Sequence, residues 1–127
     1  MENLIQSVSG KPARILYGIP GIIFGLFHFA GAENMAAMVP VPGGVFWVYL
    51  TGLFLVTGSL GLILNVKGLG KLAAFLFGLL ILSFAFTIHL PGILKAANEQ
   101  AGTLSMMMFL KDLMIGAGAW AIAKSID

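Results

Sequence analysis

Between Leu104 and Ala123 the chain reads LSMMMFLKDLMIGAGAWAIA, twenty residues that are apolar except for Ser105 and the adjacent pair Lys111–Asp112. As a helix this stretch is about 30 Å long, the thickness of a bilayer's hydrocarbon core. It predicts a transmembrane helix and makes its two charges the costliest residues in the chain. An Asp or Lys at mid-helix costs roughly 2.5–3.5 kcal/mol on insertion scales, so each needs a partner, water or an exit. Neighbouring helical residues point about 100° apart. Asp112 falls in the row Ser105, Met108, Asp112, Gly116, Ala119, Ala123, whose small residues predict a packed face. Lys111 falls in the bulkier row Leu104, Met107, Lys111, Ile115, Gly118, Ile122. That row predicts a lipid-facing side chain, long enough to snorkel toward a headgroup region. Asp112 is the first candidate functional residue.

Three further apolar runs precede this one. The chain is 59% apolar and 9% charged, with a mean hydropathy of +1.01, which excludes an ordinary soluble domain and fits a polytopic membrane protein. Spans are predicted at about 15–32, 45–64, 72–90 and 104–123, a single four-helix transmembrane domain over residues 1–127. Ala30-Gly31-Ala32 has the small residues of a leader-cleavage site, but the three later spans favour a first transmembrane helix. Pro20 predicts a kink in that helix. Pro40 and Pro42 break the chain before the second span, and Pro91-Gly92 is expected to close the third. A polar connection over 93–103 follows. With such short connections, the fold expected is all-α, a compact up-down bundle.

The loops predict orientation. Lys11, Arg14, Lys67, Lys71 and Lys124 fall on one side, and Lys95 on the other. By the positive-inside rule both termini are cytoplasmic.

Rows of small residues mark the expected helix contacts. They are Gly18, Gly21, Gly25, His28, Ala32 in the first span and Thr51, Phe54, Gly58, Gly61, Asn65 in the second. The third row is Phe75, Gly78, Leu82, Ala85, His89. Combined with the orientation, these rows bring His28, His89 and Asp112 to the outer half, with Asp112 roughly 13 Å deep at 1.5 Å per residue. Glu33 stands at the rim and Lys111 beside Asp112. These five residues form the candidate ligand-binding or proton-relay site.

Plainer roles compete with that one. His89 suits a helix cap, His28 a bond to a backbone carbonyl, and Lys111–Asp112 a clamp between helices. Met106, Met107 and Met108 face three directions, which suits adaptable packing better than a Cu(I) site. Gly68-Leu-Gly-Lys71 lacks the strand, spacing and Ser/Thr of a phosphate loop. The chain has no cysteine, which excludes disulfides and thiol chemistry. No zinc spacing, haem signature or catalytic triad order appears, so no metal or cofactor site is identified and catalysis by this chain alone is not expected. No basic patch is interleaved with aromatics, so nucleic acid is not an expected partner.

The motifs Gly18…Gly25-x-x-His28, Pro40-x-Pro42, Gly52-Leu-Phe-Leu-x-x-Gly58 and Ala85-Phe-Thr-Ile-His89 resemble the DoxX-like family of small four-helix membrane proteins. That resemblance implies a bacterial inner-membrane protein. Some relatives are linked to quinone-coupled sulfur oxidation or membrane redox complexes, and distant ones act as assembly factors. The function expected first is an accessory or binding subunit, holding a quinone- or lipid-like ligand with His28, His89 and Asp112 at its polar head. A scaffold or assembly factor that partners another membrane protein through its helix faces is the second expectation. A small multidrug-type transporter comes last, because the first span has no acidic residue between Arg14 and Glu33. A homo-oligomer is compatible with a bundle this small.

Overall fold

The structure, a computed structural model, describes residues 1–126. Among them every regular element is helical: α1 (Glu2–Ser9), α2 (Lys11–Ala30), α3 (Ala32–Met35), α4 (Gly44–Leu64), α5 (Gly70–Phe84), α6 (Leu90–Leu94) and α7 (Glu99–Ser125). Turns of 3-10 helix follow α3 and α4, and a π-helical turn, Ala85–His89, joins α5 to α6. Four stretches, Glu2–Ala30, Gly44–Leu64, Gly70–Leu94 and Glu99–Ser125, are long and apolar enough to cross a membrane. The outer surface suits that solvent: Leu16, Phe27, Phe46, Leu64 and Met114 are all exposed, a burden in water but not in lipid.

Consecutive long helices pack side by side and antiparallel. Gly18 of α2 lies against Ser59 and Ile63 of α4, while Gly25 lies against Gly52 and Val56. Gly58 and Gly61 of α4 meet Phe77 and Ala73 of α5. Gly78 of α5 meets Gly116 and Trp120 of α7, and Gly92 of α6 meets Ser105. The starts of α2 and α5 and the ends of α4 and α7 therefore share one end of the bundle, here the termini end. The loops 31–43 and 95–98 lie at the other.

Leu62, Ala74, Phe77, Ala119 and Ala123 form the centre of the core, with Leu55 and Ile81 completing it. The small-residue rows of the first and fourth spans are buried at Gly18, Gly21, Gly25 and Ala32 on one and Asp112, Gly116, Ala119 and Ala123 on the other, with His28, Ser105 and Met108 part-buried. The row in α4 differs. Its buried residues are Val48, Gly52, Leu55, Ser59 and Leu62, while Phe54 is exposed. The cause is position: α4 is held between α2 and α5, so its buried face lies between two contact lines. The glycines at 58 and 61 mark only the line against α5. Phe75 is likewise turned outward, where its ring stacks on Trp120 at 5.9 Å, and Ala74 and Phe77 take its place in the core.

The third span also runs further than Pro91 suggests, ending at Leu94. Proline lacks an N–H, and its ring crowds the carbonyl four residues back. The π turn just ahead widens the helix there and relieves that crowding. The Thr87 hydroxyl donates to the Ser83 carbonyl at 2.7 Å, satisfying a backbone group that the altered ladder loosens. With Asn98 capping α7 through the Ala101 N–H at 2.8 Å, the expected polar connection over 93–103 shrinks to residues 95–98. α2 continues through Pro20.

α2 and α7 belong to the first and last spans, which are not consecutive in the chain, and Tyr17 ties them together. Its hydroxyl donates to the Ile115 carbonyl, and its ring stands edge-on to Phe77 at 6.0 Å. The Ile115 carbonyl lies within α7 and also has the helix's own ladder to serve. Tyr17→Phe is therefore expected to cost only about 0.5–1 kcal/mol, within the range of interhelical hydrogen bonds in lipid. Thermal unfolding in detergent checks this, and a loss several times larger would mean that the hydroxyl carries more than one bond.

Candidate functional site

Alongside the core, from Leu16 and Tyr17 to the loop end, the bundle opens into a cavity of about 750 Å³. Its walls come from α2, α4, α5, the π turn and α7, and Met35, Met38 and Val39 contribute from the first loop region. The indole N–H of Trp47 donates to the Pro42 carbonyl at 2.8 Å and pins that loop to α4. Most of the lining is Leu, Ile, Val, Phe and Met. Three of the ionisable groups, His89, Lys111 and Asp112, gather on one side.

Asp112 anchors that side. Its place in the buried row of α7 turns the carboxylate inward, with only 3% of the residue exposed. His89 reaches it from the π turn, Nε2 to Oδ2 at 3.3 Å. Lys111 reaches it from the same helix, Nζ to Oδ1 at 3.2 Å. Each carboxylate oxygen thus has one partner, which is how an intramembrane acid offsets its insertion cost.

Lys111 differs from its expected course. Its backbone does point away from the row of Asp112, but the side chain curls back instead of running to a headgroup region. The ammonium lies 5.6 Å from the centroid of the Phe24 ring on α2, close enough for a cation–π contact. A buried carboxylate one residue away is a nearer counter-charge than the interface, and four methylenes suffice to reach it. Lys111 therefore links α7 to α2 above Tyr17.

His28 lines the same cavity but does not pair with Asp112. Its Nδ1 lies 2.7 Å from the Phe24 carbonyl one turn back. A carbonyl can only accept, so Nδ1 carries the hydrogen. In a neutral ring Nε2 is then left as an acceptor. Glu33 is exposed on α3 and is not among the lining residues. Of the five candidates, the structure brings together His89, Lys111 and Asp112. It sets His28 on the facing helix and leaves Glu33 outside.

Tyr17 is the lining residue that the small-residue rows passed over. The signal was present one position along: Tyr17, Gly21, Phe24 and His28 recur at steps of four, three and four, and this is the face of α2 that meets the cavity. A search for glycine rows alone finds where α2 touches α4, not what it turns toward α7.

Chemically, the arrangement offers a largely apolar space with Lys111, Asp112 and His89 at one wall and His28 on another. The ammonium of Lys111 has N–H groups beyond the one aimed at Asp112, and His28 lines the same cavity from α2. An apolar body with a small polar head fits such a space. Set against family models, curated proteins and solved structures, the chain matches none of them.

Proposed function

We propose that this chain is a multi-pass membrane protein that holds a quinone- or lipid-like ligand beside Asp112, as an accessory or binding subunit of a membrane redox enzyme. One observation carries the proposal: a buried carboxylate, paired with His89 and Lys111, stands in the wall of a largely apolar cavity of about 750 Å³. The ligand's polar head lies against Lys111 and His28, and its tail lies along Phe24, Phe54 and Phe84. The chain binds rather than reacts, and electrons come from the partner.

The DoxX-like assignment is supported by the motifs Gly25-x-x-His28 and Ala85-Phe-Thr-Ile-His89, both of which end on cavity histidines. Placement in a bacterial inner membrane with both termini cytoplasmic is supported by Lys11, Arg14, Lys67, Lys71 and Lys124 at one end of the bundle, against Lys95 at the other.

The test is binding of a short-chain quinone, and separately of extracted lipid, to purified protein. Asp112→Asn keeps the shape but removes the charge that holds Lys111 and His89 in place, and is expected to weaken binding about tenfold. Unchanged affinity removes Asp112 from the site.

A scaffold or assembly role is the second reading, and a specific observation favours it. Both oxygens of Asp112 are engaged by the chain's own side chains, and His28 bonds its own helix, so the buried acid has its partners without a ligand. Stoichiometric co-purification with another membrane subunit, together with no ligand in the extract, selects this reading.

A further inference from the structure

The termini end of the bundle carries a second hollow, unrelated to Asp112. It is a groove of about 580 Å³ between the start of α5 and the end of α7, lined by Gly68, Lys71, Leu72, Phe75, Ala123 and Lys124. The turn ahead of α5 shapes it. Asn65 and Lys67 adopt left-handed backbone, with φ of 45° and 52°, and the Gly70 N–H donates to Asn65 Oδ1 at 2.9 Å. That tight connection holds the first residues of α5 beside the last turn of α7.

The groove is graded along the helix axis. Lys71 and Lys124 stand at its mouth, one from each wall. Leu72 and Ala123 follow, and one turn deeper lies Phe75, stacked on Trp120, whose indole N–H donates to the Phe75 carbonyl at 3.2 Å. Among the described residues no carboxylate lies within ion-pair distance of either lysine. Two cations at the rim, then an apolar trough capped by aromatics, match the order of an anionic phospholipid from phosphate to acyl chain. Basic pockets between membrane helices recognise such headgroups by the same physics.

We propose that this groove is a binding site for one anionic phospholipid of the surrounding leaflet, its phosphate between Lys71 and Lys124 and one acyl chain along Leu72 and Phe75. Selection rests on charge: a zwitterionic lipid brings its own cation to the same mouth and gains little. The site is independent of the cavity beside Asp112 and stands whether or not that cavity holds a ligand.

The chain has two tryptophans, so Trp47→Phe leaves Trp120 as the sole tryptophan, one turn below the lysines and read by exciting indole selectively over tyrosine. The protein in this background is reconstituted with phosphatidylglycerol or phosphatidylcholine brominated on the acyl chains, each diluted into its unbrominated phosphatidylcholine host. Brominated phosphatidylglycerol is expected to quench Trp120 at far lower mole fraction. Each lysine near an anionic surface is worth about a fivefold gain in affinity, so Lys71→Gln with Lys124→Gln should lower the preference about 25-fold. Each single variant should lower it about fivefold, which decides the matter if the pair folds poorly. Lys71→Arg with Lys124→Arg should keep the preference, and so should Lys11→Gln with Arg14→Gln, which remove equal charge from the same end outside the groove. Equal quenching by the two lipids in the parent overturns the proposal. So does a preference that survives the glutamine pair, or one that the Lys11 and Arg14 changes abolish equally.

Discussion

Gly25→Ala is expected to destabilise the protein by about 2–3 kcal/mol, the upper part of the range for overpacking a close contact. A methyl group at that position would stand 2.6 Å from Val56 Cγ2, 2.8 Å from the Gly52 carbonyl oxygen and 3.0 Å from the Val56 nitrogen. The last two are backbone atoms, which no rotamer change can move aside. α2 must shift away from α4, and the shift carries Phe24 and His28 with it, so the cavity wall moves as well. The approach is mutual: a Cβ on Gly52 would meet the Gly25 carbonyl at 2.9 Å. In lipid this closeness matters more than in water, because lipid tails solvate side chains as well as protein does and helices associate chiefly through packing. Gly102→Ala is the control. There a methyl would meet only Ala96 Cβ, at 3.3 Å, and the better helix propensity of Ala offsets that contact. Thermal unfolding of both variants in detergent is the measurement. If Gly25→Ala melts with Gly102→Ala, the α2–α4 crossing does not depend on the missing side chain.

The contrast between those glycines also marks what the chain discloses before it folds. Spans are legible because length and hydropathy answer to one external dimension, the bilayer. The faces of α2 and α7 are legible because each has its small residues on one line. α4 is misread by one position because it serves two neighbours, and its glycines at 58 and 61 report the line against α5 alone. His89 is found in the right layer, yet the π turn that delivers it has no pattern of its own; Pro91 reads as a stop until the geometry shows a wide turn absorbing it. Asp112 is legible from cost alone, since a buried acid must find a partner. Which partner it finds depends on side-chain reach. Four methylenes let Lys111 turn back to a residue whose Cα direction differs by about 100°, so backbone direction is a poor guide for long side chains. Tyr17 escapes notice because its role is across the gap between helices that the chain order leaves unpaired.

Asp112→Leu separates the cost of a charge from the worth of a contact. Removing the carboxylate relieves an insertion penalty of roughly 2.5–3.5 kcal/mol, which by itself would stabilise. It also strands Lys111 over Phe24 without its counter-charge, and losing one partner of a buried pair costs about 3–5 kcal/mol. The Lys111 side chain is 43% exposed and can swing partly free, so the net expected is a loss of about 1–2 kcal/mol, read from thermal unfolding in detergent. Lys111→Leu with Asp112→Leu removes both charges, and should recover the parent's stability or exceed it, as buried ion pairs replaced by apolar residues commonly do. The Asp112–His89 contact is smaller: a double-mutant cycle with His89→Ala should give a coupling of about 0.6 kcal/mol and at most about 1.7. If the single and double variants are equally unstable, Lys111 was never held by the carboxylate. The stable double variant then tests the two functional readings on a folded protein. A scaffold that docks through its helix faces keeps its partner without either charge, whereas a ligand site loses its polar head group contacts and releases the ligand.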